Sequence, residues 1–435
     1  MSSRSHPLNS TDTTKMEKIM SDLMKNNDEL PKGWEWKRLG EIAEVVAGNP
    51  APQGEEYFRD GRYPFLRVQD MGRLGNDSYI YKTHDYINDK AVQSLRLFPK
   101  GSVLFTKSGA STLLNQRAIL GRDMFVVSHI AATIPHDGIM SEWLYYWLKT
   151  VDFNKLAHAT TLPSLPLSKA KDIHIPIAPP VEQKLIVSEI EKQFSRLDEA
   201  VAALKRVRAS LKRYKASVLK AAVEGRIVTS EQKKWKTTTV GEVSEIVTKG
   251  SSPNWQGFEY SSEGVVFVRS QNVSWGHLDL SDVAHLPLAF NKKEKKSVLR
   301  TGDVLLNIVG ASIGRAAVAS KSIEGGNINQ AVAVIRPLRD RLLPQFLMCY
   351  FLSEKVQKLI HAQKVDVARA NYSLEQIRKL PLHLPPLDDQ HLIVEEIESR
   401  LSVAEEIEEI ININLKRAER LRQAILKKAF SGRLV

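Results

Sequence analysis

The chain has 435 residues, more than one hydrophobic core usually supports, so two or three domains are expected. Lys and Arg total 62 against 50 Asp and Glu, a net charge of +12, which favours an anionic partner, most often nucleic acid. The single cysteine, Cys349, excludes an internal disulfide and a cysteine-based zinc site; the histidines form no His-Glu-x-x-His, and no run of about 18 apolar residues exists to span a bilayer.

Residues 1–30 form a polar N-terminal extension without the apolar core of a secretory signal, so a cytoplasmic location is expected. A first domain follows over 31–178. Short β-branched runs at 65–68, 103–106, 125–127 and 131–134, broken by Gly and Asn, predict strands, and 141–148 predicts a helix. Pro179 and Pro180 then open a segment, 179–228, in which no proline or glycine occurs from 181 to 224. Val187, Phe194 and Val201 recur every seven residues, with Ile190, Leu197, Leu204, Leu211 and Val218 between them, the spacing of a coiled-coil seam.

A second domain over 229–384 offers strands at 265–268, 303–308 and 331–335 and a helix at 344–352. The last segment, 385–435, repeats the seam with Val394, Leu401 and Leu415 and with Ile397, Ala404, Ile411, Ala418 and Ile425. Gly225 and Gly432 end the two helices, as residues free to take positive φ.

The halves are copies. Gly40-Glu41-Ile42-Ala43-Glu44 returns as Gly241-Glu242-Val243-Ser244-Glu245, Phe65-Leu66-Arg67 as Phe267-Val268-Arg269, and Gly109-Ala110-Ser111 as Gly310-Ala311-Ser312. Lys155 to Ala159, with His158, is echoed from Lys358 to Ala362, with His361. From Leu185-Ile186-Val187 and Leu392-Ile393-Val394 an offset of 207 holds to Gly225-Arg226-Ile227-Val228 and Gly432-Arg433-Leu434-Val435. The loops between differ: 49–54 is replaced by the unlike 251–257. One frame with two loop sets points to two different recognitions. The fold class is α+β: two similar mixed α/β domains separated by two long helices, a pseudo-twofold internal repeat.

Each long segment is acidic early (Glu182, Glu189, Glu191; Glu395, Glu396, Glu398) and basic late (Lys212, Arg213, Lys215; Arg420, Lys427, Lys428). Parallel pairing would set like against like, so an antiparallel coiled coil is expected; a helix dipole accounts only for the terminal turns. Centring acidic on basic blocks brings Arg208 near Glu408.

The chemistry-bearing motifs are absent. There is no Asn/Asp-Pro-Pro-aromatic loop of a DNA methyltransferase, no Gly-x-x-x-x-Gly-Lys-Ser/Thr, and no Pro-Asp to begin a nuclease motif. A binding protein is the better reading; a self-sufficient methyltransferase or nuclease, or a coiled-coil adaptor that does not bind DNA, is the alternative.

Pro-Pro-Val-Glu-Gln-Lys at 179–184, Pro-Pro-Leu-Asp-Asp-Gln-His at 385–391, the Gly-Arg-Ile-Val and Gly-Arg-Leu-Val ends, and 30–42 together resemble the specificity subunit of type I restriction-modification systems. The resemblance covers nearly all of 30–435. It implies two target-recognition domains, each reading one half of a bipartite double-stranded DNA site, with antiparallel helices fixing the spacing. It implies as partners two modification subunits, which carry S-adenosylmethionine and methylate adenine, and restriction subunits that translocate and cleave DNA; this chain itself would hold no cofactor, no metal and no catalytic centre, and would not meet a membrane.

DNA is held by Lys and Arg on phosphates and read by Arg, Asn, Gln, Ser and Thr on base edges. The candidates in the first domain are Lys107, Ser108, Ser111, Thr112, Asn115, Gln116 and Arg117, with Asn307, Ser312 and Arg315 as the second-domain counterpart. The variable loops add Gln53, Arg73, Asn254, Trp255, Asn291, Lys292 and Lys293. Residues common to both halves, such as Arg67 and Arg269, are assigned to the shared frame.

Overall fold

A computed structural model describes residues 30–74, 77–109, 115–156, 164–228, 235–362 and 371–435. The chain divides into two compact units: one runs up to Ala203 and includes Asn414–Val435, the other is Leu204–Ile413. The division falls inside both long helices.

Each domain opens and closes on the same short ribbon. Glu35–Arg38 pairs antiparallel with His174–Ile177, and Lys236–Thr239 with Pro381–Leu384. The ribbon brings the two ends of a domain together just before the prolines that start its helix. Between these ends the first unit carries a five-stranded sheet ordered Ala43–Ala47, Ile130–Pro135, Val103–Thr106, Arg117–Leu120, Tyr79–Ile80. Beside it is a four-stranded one ordered Asp85–Ile87, Tyr63–Leu66, Met124–Val126, Leu97–Phe98. The second unit repeats the plan with Ser244–Lys249, Val332–Pro337, Val304–Asn307, Ala316–Val318 and with Ala284–Leu286, Val265–Val268, Asn327–Ile328.

Alternation explains why the central strands read as unbroken apolar runs. Val103 and Phe105 enter one core with Trp143 and Leu144 of the helix Ser141–Thr150, while Leu104 enters another with Phe65 and Phe125. Val304 and Leu306 likewise pack with Phe346 of the helix Pro344–Leu352, and Leu305 with Val268 and Ile328. A strand buried on both faces has no polar side to show. The first domain's strands and helix fall within a few residues of expectation. The helix Glu354–Ala362 was not foreseen, and the segment after Leu66 is helical over Val68–Gly72.

The long helices are Pro180–Val223, 44 residues, and Leu387–Ala429, 43 residues. Both begin on the same clamp. Gln183 is fully buried; its Oε1 accepts from Met140 N–H at 3.0 Å, and its Nε2 donates to Gly138 O at 3.2 Å and Ala178 O at 2.8 Å. Gln390 accepts from Leu343 N–H at 2.8 Å and donates to Arg341 O at 2.8 Å and Pro385 O at 2.9 Å. Both end on the same cap. Gly225 and Gly432 take φ of 66° and 68°, and Arg226 and Arg433 donate back to Ala221 and Lys428.

Within each unit the helices run antiparallel. In the first, Ile190 shares a core with Ile425, Asp198 pairs with Arg422, and the Arg422 guanidinium lies 5.0 Å from the Phe194 ring centre. In the second, Lys215 meets Glu408 at 2.7 Å while Val218 and Ala222 share a core with Ile393 and Ile397. The seam residues are buried or half-buried along both helices. The expected neighbour of Glu408 is corrected: it is Lys215, whereas Arg208 is exposed. The apolar seam sets the register, and it carries Glu408 about two turns beyond the position that centring the charge blocks gives.

Candidate DNA-recognition loops

The base of the loop after the strand Val103–Thr106 is tied down. Lys107 donates its N–H to His129 O at 2.9 Å and accepts from Leu165 N–H at 2.8 Å; Ser108 bridges to Ser164, and its Oγ is 2.9 Å from His129 Nδ1. The second domain does the same with other residues: Ile308 bonds Ala331 and Tyr372, and Val309 bridges to Asn371. Ser111 and Thr112 lie outside the described residues.

Arg117 is turned inward. It is buried, and its guanidinium donates to the carbonyls of Leu148, Gln116 and Val151 and to Asn115 Oδ1, 3.8 Å from the Phe153 ring centre. Burial pushes its pKa down to about 9, with the charge of Asp152 opposing. The cation caps the carbonyl end of Ser141–Thr150, where a helix dipole favours positive charge. Asn115, at φ 48°, completes this cap by donating to Val151 O and accepting from Phe153 N–H, and Gln116 is half-buried beside it. In the second domain Gln357 takes over, donating to Gly314 O and Phe351 O; nothing in its surroundings in sequence marks that role.

Asn307 is also internal: it is buried, and its amide donates to Ser270 O at 2.8 Å. Asn291 is half-buried, donating to Gly325 O and accepting from Asn327 Nδ2. Arg117 and Asn291 spend their polar groups on the frame; Asn307 spends its amide N–H there, while its Oδ1 is buried without a hydrogen-bond partner among the described residues. Ser312 and Arg315 are half-buried around one turn, closed by Arg315 N–H on Ser312 O. Gln53 is exposed and folds back onto Ala51 O; Arg73 is exposed and 4.0 Å from Asp70.

One group of candidates is brought together. Lys293, on the short helix Ala289–Lys293, donates from Nζ to Gln256 O at 2.9 Å and so joins that helix to the turn Asn254–Gln256. The result is an exposed set of Asn254, Trp255, Lys292 and Lys293, with Lys295 and Lys296 following. Trp255 is 84% exposed, an unusual state for the largest apolar side chain. At the same place in the first domain stand the turn Glu55–Tyr57 and the helix Asp89–Val92, joined by Lys90 over the Tyr57 ring at 5.1 Å. The frame is common and the chemistry displayed on it is not.

The shared arginines are frame residues. Arg67 and Arg269 each receive a side-chain acceptor on their N–H, from Asp70 and Asn272. Arg67 pairs with Asp85; burial works to raise that carboxyl's pKa, but His84 and Arg67 outweigh it and leave it lowered. Cys349 is buried, which pushes its thiol up to about 12 and out of the reactive range. Among the described residues no cluster of His, Cys, Asp or Glu could hold a metal ion, and no helix is long and apolar enough to cross a membrane.

Comparison with known proteins fits this arrangement. The chain is 25% identical over 450 aligned positions to the type I restriction enzyme EcoBI specificity subunit of Escherichia coli, spanning 98% of this chain and 90% of the relative. Its fold matches a chain from a study of complex assembly and conformational transition of the type I R-M system, with TM-score 0.76 and 18% identity over 93% of this chain and 99% of that one. It also matches the crystal structure of an HsdS subunit from Thermoanaerobacter tengcongensis, with TM-score 0.56 and 21% identity over 94% and 100%. The type I restriction modification DNA specificity domain matches twice, at residues 31–212 and 232–417, once in each copy of the repeat, and the chain belongs to that family.

Proposed function

We propose that this chain is the non-catalytic DNA-reading subunit of a cytoplasmic type I restriction-modification complex, and that each domain reads one half of a bipartite double-stranded site. The observation that carries this is the contrast at one position of a common frame. The second domain presents Asn254, Trp255, Lys292 and Lys293, and the first presents Glu55, Glu56, Tyr57 and Lys90. Basic and amide groups beside an exposed aromatic suit phosphate and base-edge contacts. The acidic-aromatic set suits a different base pattern.

The helices, each about 65 Å long at 1.5 Å per residue, set the distance between half-sites and seat the modification subunits. Those subunits bring S-adenosylmethionine and transfer its methyl group to adenine; restriction subunits complete the assembly. The test exchanges residues 31–178 for the matching domain of a relative and maps methylated adenines. One half-site changes and the other stays. A change in both, or in neither, refutes separate reading.

A further inference from the structure

Trp255 is displayed on a braced support. Its turn, Asn254–Gln256, starts from the buried Pro253, whose carbonyl accepts from Gln256 N–H at 2.9 Å and Phe258 N–H at 3.0 Å. Gly257 closes the turn at φ 77°, with its N–H on Asn254 O at 3.1 Å. Behind it Phe258 lies edge-on to the fully buried Phe290, ring centres 5.4 Å apart, and Lys293 ties the turn to the helix Ala289–Lys293. Asn291 fixes that helix, donating to Gly325 O at 2.7 Å and accepting from Asn327 Nδ2 at 2.9 Å. The indole, 84% exposed, thus stands on a turn anchored at both ends and underneath. Around it Lys292, Lys293, Lys295 and Lys296 are exposed, while the one glutamate among them, Glu294, is buried.

The chemistry of the side chain limits what it can meet. An indole carries one N–H donor and no acceptor, so it cannot match a base edge in a groove as arginine or asparagine does. What it offers is two broad apolar faces, which bind by stacking on another π system. In a duplex the neighbouring bases already cover each base face, so a stacking partner is gained only where a step opens. The first domain lacks this device at the same place. Tyr57 is half-buried with Lys90 Nζ 5.1 Å from its ring centre, and its turn turns two exposed carboxylates, Glu55 and Glu56, toward solvent, where they repel phosphate.

We infer, resting on the proposed function, that Trp255 is a wedge: it enters the base stack of the second half-site and opens one step, while no matching step opens in the first. Lys292, Lys295 and Lys296 hold the phosphates on either side. Opening a step costs the stacking of two base pairs, and the indole's own stacking with these phosphate contacts offsets it. The rigid turn matters because a yielding support would fold back before the step gave way. The cost is lowest at a pyrimidine–purine step, so the second half-site is selected in part by how easily it deforms.

The test uses the full chain assembled with its modification subunit and a duplex bearing the mapped site, with the fluorescent base 2-aminopurine placed at one position after another. A base extruded for methylation brightens in each half-site. The wedge adds one further bright position, in the second half-site alone. Trp255→Ala abolishes that position, keeps the two methylation signals, and weakens binding by about 30-fold. Trp255→Phe, which keeps a smaller ring, restores part of both. A mismatch at the opened step tightens binding of the unaltered complex by about tenfold and leaves Trp255→Ala unchanged. A further bright position that survives Trp255→Ala, or weaker binding with no such position, overturns the wedge and leaves the proposed function standing. Opened steps in both half-sites overturn it as well. A complex that binds its site no better than unrelated DNA overturns the wedge and the proposed function together.

Discussion

Replacing Gln183 with leucine keeps the size of the side chain and removes its amide. Three polar groups then lose their partner: the part-buried Met140 N–H and Gly138 O and the buried Ala178 O, previously bonded at 3.0, 3.2 and 2.8 Å. A buried group stranded this way costs about 1–3 kcal/mol, and the 3.2 Å bond belongs at the low end. Apolar leucine recovers part of the loss, so the net cost is about 3 kcal/mol. Gln390→Leu strands Leu343 N–H, Arg341 O and Pro385 O and costs a similar amount. The clamps lie in separate compact units, so the double variant loses the sum. Hydrogen exchange read separately on amides near 140 and 343 gives each local stability without assuming one transition for the whole chain. A loss below about 1 kcal/mol in either unit would show that the amide is not holding the helix start to its domain.

Arg117→Met removes four donated hydrogen bonds, two of them to Leu148 O and Val151 O at the end of Ser141–Thr150, and lowers first-domain stability by about 3 kcal/mol, while folded protein keeps its half-site preference. A loss of base selectivity without a loss of stability would return Arg117 to the DNA surface. Trp255→Ala does the opposite: at 84% exposure it leaves the melting temperature unchanged, and it weakens DNA binding in the assembled complex by about 2 kcal/mol. Unchanged binding removes Trp255 from the interface. Lys215→Glu destabilises the helix pair by up to about 1 kcal/mol, and adding Glu408→Lys recovers most of it, because their side chains are 27% and 43% exposed. The same cycle between Arg208 and Glu408 gives no coupling, and a coupling larger than that of Lys215 would mean the register is wrong.

The long helices were readable because their signal is local. A seven-residue spacing, a proline pair and a terminal glycine lie along one stretch of chain, and charge order added the direction. The register was not readable, since it depends on which apolar layers interlock, and that moved the partner of Glu408 from Arg208 to Lys215. The duplication is visible as two copies of one frame, yet four-residue ribbons such as Glu35–Arg38 with His174–Ile177 pair across too much sequence to show a pattern. Polar loop residues were the least legible. Arg117 and Asn307 look like surface groups in sequence; their acceptors are carbonyls of Leu148, Val151 and Ser270, more than 30 residues away. Trp255 and Lys293 were each suspected, but only the bond from Lys293 to Gln256 joins them into one patch.

The repeat has a consequence for how freely its domains can vary. The end of each long helix closes the core of the unit to which the other copy's domain belongs. Phe430 packs against Trp143 and Trp147 with ring centres 4.8 and 5.0 Å apart, and Ala429 beside it is fully buried. The residues 207 positions earlier, Ala222 and Val223, occupy the core that holds Val243 and Phe346. Neither half of the sequence therefore contains a finished core, and the unit that folds is not the unit that was duplicated. The turn Asn254–Gln256 contributes no residue to either of these cores and is free to change. The aromatic pocket around Phe430 is not free, because an altered Trp143 or Trp147 leaves a large buried ring without its neighbours, at a cost of several kcal/mol. An exchanged first domain consequently brings its new specificity only if its own helix Ser141–Thr150 still accepts Phe430. Where it does not, restoring the fit requires the donor's residues at 414–435 as well, although those residues lie more than 200 positions away in the chain.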